Sequence, residues 1–180
     1  MATPLQGKAA PAACAPKAPD VHEQLTQRAE QWLYQRGGCG VVLREPFRAH
    51  THTGERPDAI GWREGLSVLV ECKASRSDFF ADGQKPFRQD PALGAGDWRF
   101  FLCPPKLIYP EEIPQDWGLL WCYPRQIRAQ TPLPDRAMWY RARPFRGNEA
   151  VEREILYAAL RRVQIRGHLG DAYAPLLSQT

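Results

Sequence analysis

An α/β fold, a central mixed β-sheet flanked by helices, is what this sequence predicts. Three observations carry the expectation. Strand-like runs over 67–74, 98–103 and 118–123 alternate with helical or loop stretches. One of them opens with Val68-Leu69-Val70, the unbroken apolar run of a central strand buried on both faces. Two capped, amphipathic helical patterns stand near the two ends. At 180 residues and 43% hydrophobic content, the chain is expected to hold one packed domain with short extensions.

Residues 1–19 are rich in alanine and proline, cannot build an amphipathic face, and are expected to form a disordered tail. The domain then spans 20–166, with a core over 21–123 and C-terminal strands and a helix over 124–166. Asp20, with Glu23 three residues on, caps a helix to about Arg36. Val21, Leu25, Ala29, Trp32 and Leu33 form its buried stripe, and Glu30 projects away toward solvent. Gly37-Gly38 ends it, and Cys39–Phe47 alternates as a first strand with Glu45 near its end. His50 and His52 resemble the tail of a zinc finger, but no paired cysteines precede them and their spacing is too short. A polar loop near the site is expected instead, with the two histidines as candidate contacts.

Arg56–Trp62 and Ser67–Ala74 make a hairpin closed by Arg63-Glu64-Gly65. Ser75 or Ser77 caps a short helix to about Gln84, with Phe79 and Phe80 packing inward. Residues 83–97 read as a glycine- and proline-punctuated loop carrying Lys85 and Arg88. Trp98–Cys103 and Gly118–Tyr123 are apolar strands joined by a loop or short helix over 105–116. Gln126–Gln130 and Trp139–Phe145 are expected as edge strands interrupted by prolines. Asn148 caps a last helix, Glu149 to about Arg166, whose Arg153, Arg161, Arg162 and Arg166 read as a solvated face. Residues 167–180 are expected to be loosely held.

Five cysteines without Cys-x-x-Cys spacing argue for free thiols and a reducing, cytoplasmic setting. No apolar run reaches about 18 residues, so no membrane span is expected. Formal net charge is +4, and only five of the 24 basic residues are lysines. Arginine suits bidentate phosphate contacts, so the balance leans toward a polyanionic partner. Walker A, His-Glu-x-x-His, Gly-x-Ser-x-Gly and dinucleotide motifs are all missing from the sequence.

The chemistry concentrates between residues 56 and 80. Side chains alternate along a strand, so Leu69, Glu71 and Lys73 point away from Val68, Val70 and Cys72. Pairing with the neighbouring strand brings the Asp58 carboxylate to the same place. Two carboxylates about 4 Å apart repel by about 4 kcal/mol at an effective dielectric near 20, so the arrangement calls for a cation. A structural ion-pair network at the strand end answers that call as well as a metal does.

Asp58 followed by Glu71-x-Lys73 resembles the PD-(D/E)XK nuclease superfamily. The longer run Glu71-Cys-Lys73-Ala-Ser75-Arg-Ser-Asp78-Phe79-Phe-Ala81-Asp82 is similar to MmcB-like bacterial proteins linked to DNA repair, and to small phage proteins. The likeness continues through Asp97-Trp-Arg99-Phe-Phe101-Leu-Cys-Pro104-Pro and Gly118-Leu-Leu-Trp, and covers roughly 40–123. It implies a restriction-endonuclease-like core and magnesium-dependent hydrolysis of DNA phosphodiester bonds, with manganese as a substitute. The sequence shows no groove-probing element for reading bases, so structure-selective or single-strand action is expected rather than sequence-specific cleavage. Asp58 and Glu71 would hold the ion with the backbone carbonyl of Cys72, Glu45 would add a further acid, and Lys73 would orient or deprotonate the attacking water. Ser75 and Asp78 match family positions with structural roles, a helix cap and a first-turn acid. Where the family is usually basic after Ala-Asp, this chain has Gly83-Gln84. Arg56, Arg76, Lys85, Arg88 and Arg99 surround the motif as candidate phosphate contacts, with Trp62 and Trp98 as candidate stacking residues. The alternative is a catalytically weak DNA-binding or repair scaffold that keeps the nuclease fold.

Overall fold

The computed structural model describes residues 20–135 and 137–174. The expected tail over 1–19 and the segment 175–180 lie outside the described residues. Six strands form one mixed sheet in chain order: β1 (Val41–Arg44), β2 (Ala59–Arg63), β3 (Leu66–Cys72), β4 (Trp98–Cys103), β5 (Gly118–Cys122) and β6 (Ile127–Ala129). Pairs β1–β2, β2–β3 and β5–β6 are antiparallel, whereas β3–β4 and β4–β5 are parallel. The fold is therefore α/β, as the apolar β3 run predicts, and every residue of β3 is buried.

Helix α1 (Val21–Gln35) starts where Asp20 accepts the Glu23 N–H at 2.8 Å. Its Leu25, Ala29, Trp32 and Leu33 cover one face of the sheet against Val42, Ala59, Val68 and Val70. The opposite face is Ile60, Leu69, Phe101 and Leu119, covered by Phe79 of α2 (Arg76–Asp82) and by Val151 and Ile155 of α5 (Glu149–Ile165). Ser75 caps α2 and Asn148 caps α5 through their side-chain oxygens, as their positions in the sequence lead one to expect.

Several local expectations change. The first strand covers only 41–44, because the Phe47 N–H turns back to the Arg44 carbonyl. Residues 83–97 are more ordered than a loop. They hold α3 (Pro86–Gln89), which opens on proline, and a 3-10 turn, Pro91–Leu93, capped by Asp90. Helix α2 stops at Asp82, with Phe79 buried and Phe80 exposed beneath the Arg76 guanidinium.

The expected edge strand over 139–145 is instead the short helix α4 (Met138–Arg141). Asp135 overrides the strand-like composition, its carboxylate accepting the N–H groups of Ala137 and Met138. The turn drives Trp139 into the core, edge-on to Trp98 with ring centroids 5.0 Å apart. After α5 the chain forms a further 3-10 turn, Leu169–Tyr173, rather than a featureless end. Among the described residues Cys39, Cys72, Cys103 and Cys122 are free thiols, and no helix is long and apolar enough to cross a membrane.

Candidate metal centre and its buried ionic cluster

Register places the acids. A two-residue turn, Glu64-Gly65, joins β2 to β3 with Arg63 opposite Leu66, and Gly65 takes the positive φ of 73° that the turn requires. Continuing that pairing sets Asp58 opposite Glu71. In the same way Arg44 faces Ala59, so Glu45 falls opposite Asp58, and the Glu45 N–H donates to the Asp58 carbonyl at 2.9 Å. Residues directly opposite one another share a face. Glu45, Asp58 and Glu71 thus form one row across three strands, two residues beyond the apolar row Leu43, Ile60 and Leu69.

The row divides into a rim and an interior. At the rim, Asp58 and Glu45 are partly exposed and meet His22, whose Nε2 lies 3.2 Å from Glu45 Oε2 and 3.5 Å from Asp58 Oδ1. One ligand atom from each of the three lies within 4.8 Å of the others. Asp58 Oδ2 accepts the Cys72 backbone N–H at 2.7 Å, which fixes the carboxylate against β3. The contact made with the Cys72 backbone is therefore through its amide.

Behind the rim, Glu71 and Lys73 are each 2% exposed. Lys73 Nζ is 3.3 Å from Glu71 Oε2 and 3.3 Å from Asp82 Oδ1. Arg88, from α3, fits between three carboxylates: Glu55 at 2.6 Å, Asp82 at 2.8 Å and Glu71 at 2.9 Å. Glu55 also accepts the Ala95 N–H, and half-exposed Lys85 reaches Asp82 at 2.7 Å. Three acids and three bases so balance one another beneath α2 and α3, as burial of charge demands. The pairing is uneven, because Glu71 Oε1 and Arg88 Nη2 approach closely without hydrogen-bond geometry.

Proton affinities follow from these contacts. Burial pushes the Asp58 carboxyl up, and the nearby Glu71 charge adds to it. The hydrogen bond to Asp58 is the largest influence on His22 and outweighs partial burial, so its pKa rises to about 9. Burial disfavours the Lys73 ammonium, but Glu71, Asp82 and Asp58 together outweigh it and the pKa is raised. Lys73 is thus a charged lysine rather than a neutral base. Asp82 is pushed up by burial and pulled down further by Arg88 and Lys73, ending at about 2.

The rim predicts a titration. His22 should remain protonated through neutral pH, with an NMR midpoint near 9. Because its folded value is raised, the stability it contributes is complete below about pH 6.5 and disappears as pH climbs past 9. In Asp58→Asn the midpoint should fall toward the ordinary imidazole value of about 6.5.

The sequence-predicted contacts are scattered. Arg88 and Arg99 are buried and engaged inside the protein, so they are not surface phosphate contacts. Arg99 is 1% exposed, donates to the carbonyls of Pro91, Gly94 and Gly96, and lies over the Phe145 ring. Arg76 is exposed and paired with Glu112, Lys85 is held by Asp82, and Arg56 is exposed beside Phe47 and Arg48. Trp62 and Trp98 donate their indole N–H groups to Glu152 and to the Trp139 carbonyl, which makes them structural. His52 pairs with Glu154 of α5, His50 is exposed, and neither belongs to the rim group. Glu30, expected in solvent, takes Arg44 at 2.6 Å.

A cleft of about 640 Å³ opens at the far end of β3, lined by Ser67, Asp97, Arg143 and Glu152 among others. Its acids are engaged: Glu152 accepts from Ser67 Oγ, Gly96 N and Trp62 Nε1, while Asp97 accepts from Ser67 N and Gly147 N. These bonds fasten α5 to the sheet.

No protein-family model matches the chain, and no curated protein matches it. Among solved structures, the SPO1766 protein of unknown function from Silicibacter pomeroyi is similar, at 24% sequence identity over 86% of this chain and 94% of that chain, with a TM-score of 0.47.

Proposed function

We propose that the chain is a divalent-metal-dependent nuclease that hydrolyses DNA phosphodiester bonds, acting on DNA structure rather than sequence in a cytoplasmic repair or phage DNA pathway. The observation that carries the reading is the row of acids. Glu45 and Asp58 stand one residue beyond the ends of β1 and β2, level with Glu71 of β3 when the pairing is continued, and Lys73 is two residues past Glu71.

The donor set at the rim suits a cation. Two carboxylates and one imidazole lie within 4.8 Å of each other, and the positive charge they attract now resides on the protonated His22. Asp58 and Glu45 would hold the ion, with Glu71 behind Asp58. Magnesium favours oxygen donors, while manganese accepts oxygen and nitrogen together, so Mn²⁺ is the better probe where His22 takes part. A bound ion would polarise the phosphoryl oxygen and acidify a coordinated water. Lys73, held as an ammonium, would stabilise negative charge rather than take a proton.

A scaffold reading has its own support. Arg88 already neutralises Glu71, and both Glu71 and Lys73 are closed to solvent by α2 and α3. Substrate would reach Lys73 only if Asp82 and Arg88 drew back. The two readings separate on one experiment: labelled single strands, duplexes, nicks, gaps and flaps incubated with Mg²⁺ or Mn²⁺. The nuclease reading expects nicking that depends on the ion and on Lys73. A well-folded chain that binds these DNAs and leaves all of them intact with either ion would establish the scaffold instead.

A further inference from the structure

A groove of about 580 Å³ follows the edge strand β1 beneath the C-terminal half of α5. Val42, Leu43 and Phe47 line it together with Arg44, Arg162 and Arg166. Glu45 lies in its lining, so the groove runs directly into the rim that also holds Asp58 and His22. We propose that this groove seats a nucleic-acid backbone, with Arg162 and Arg166 as its principal phosphate contacts. The assignment rests on the nuclease reading for what happens at the rim, but not for the binding itself.

Charge is distributed along α5 in a way packing alone does not require. Its first turns carry Glu149, Glu152 and Glu154, which face Ser67, Trp62 and His52 or solvent at the other end of the helix. Its last turns and C-cap carry Arg161, Arg162 and Arg166, all exposed; Arg162 and Arg166 line the groove, and Arg161 does not. Val151 and Ile155 bury the first half, whereas Leu160 and Val163 of the second half remain exposed. The second half therefore projects over β1 as a basic shelf instead of closing onto the core.

The groove arginines are also pre-set. Arg162 lies over the Phe47 ring at 4.4 Å and donates to the Arg48 carbonyl, which fixes the plane of its guanidinium while other N–H groups stay available. Arg48 itself is 61% exposed and 3.1 Å from Glu45, and Arg56 lines a small dent beside the same Phe47. Arg44, Arg48, Arg56, Arg162 and Arg166 thus line the groove or the dent beside it; Glu30 and Glu45 pair with Arg44 and Arg48, and Glu55 of the dent is taken by Arg88. Such a density of guanidinium groups, with no lysine among them, matches phosphates spaced along a strand better than a lone anion.

The test uses the full chain in EDTA, so that neither metal nor turnover enters. Fluorescence anisotropy would compare a labelled single strand and a duplex against wild type, Arg162→Glu/Arg166→Glu, and the charge-matched pair Arg153→Glu/Arg161→Glu. The groove pair is expected to lose at least about tenfold in affinity and to flatten the dependence on salt by about two phosphate contacts. The control pair, which carries the same net charge on the same helix, should stay within about twofold. Preference between the two labelled forms tells which one the groove fits. Equal losses in both pairs would overturn the assignment, as would no binding by wild type at low salt or equal competition by poly-glutamate. Binding that follows this pattern without cleavage under Mg²⁺ or Mn²⁺ would sink the nuclease reading alone and leave the groove standing.

Discussion

Arg88→Met is expected to lose about 3–5 kcal/mol of folding stability, the range for removing one partner of a buried ion pair. The side chain lies within 3 Å of oxygens from Glu55, Glu71 and Asp82, and its guanidinium rests between the Phe87 and Trp117 rings. Methionine replaces much of the apolar bulk and none of the charge. Only Lys73 and half-exposed Lys85 then face three buried carboxylates.

Urea denaturation against pH should show the sign of the effect. In the wild type Asp82 has its pKa lowered to about 2, so the stability it supplies is present above its ordinary value and lost as pH falls toward 2. In the variant Glu55, already raised by burial, and Asp82 both lose the Arg88 charge that holds them down, so both would bind protons more tightly than in the folded wild type. The variant should therefore gain on the wild type as pH drops from 7 to 4, and the gap between the two should narrow. A gap that stays constant or widens on acidification would show that Arg88 acts through its packing.

Lys73→Met is expected to lower Mg²⁺- or Mn²⁺-dependent nicking by about 10²- to 10³-fold, the usual cost of removing a preorganised charge from developing phosphoryl charge. Because Lys73 is buried, activity must be read beside a melting curve and a calorimetric Mn²⁺ titration. Manganese affinity should be kept or improved in the variant, since a repelling ammonium has gone while Asp58, Glu45 and His22 remain. Reduced nicking with intact metal binding separates the lysine's role from a collapse of the rim. Nicking that persists at wild-type rate in Lys73→Met would remove the lysine from the chemistry and point to a contaminating enzyme.

The sheet was legible because its signals are local. The Val68-Leu69-Val70 run, the glycine-containing turn before it and the alternation through Glu71 and Lys73 are all read within a dozen residues. Asp58 opposite Glu71 needed the structure's register, because the sequence reads the turn as Arg63-Glu64-Gly65 whereas Arg63 pairs with Leu66 and leaves only Glu64-Gly65 to close it. Trp139 escaped because β-propensity for an aromatic stretch is weak beside a capping aspartate four residues earlier.

The partners of the acids were legible only in part, since they arrive from distant elements. His22 stands on the first turn of α1, outside its apolar stripe, and meets Glu45 only when that helix docks. Arg88 comes from a segment whose glycines and prolines read as loop, and no periodicity marks a lysine or arginine that will be buried. The signal that could have exposed the ionic cluster is its density of charge, with Glu55, Glu71, Lys73, Asp82, Lys85 and Arg88 all falling between positions 55 and 88. The groove arginines of α5 were visible in sequence but looked like an ordinary solvated face, because their proximity to Glu45 depends on how the helix crosses the edge strand.

The alignment of Glu45, Asp58 and Glu71 is a property of loop lengths as much as of the acids themselves. Adding a single residue to Glu64-Gly65 and sliding β3 past β2 would send Glu71 to the α1 side, into the layer of Val68 and Val70. A chain altered in that way would keep every chemical group it has now and lose the line they make. Insertions at this hairpin should therefore abolish function as thoroughly as deleting a carboxylate, while equally sized insertions in the exposed 50–54 loop, outside either strand pairing, should be tolerated.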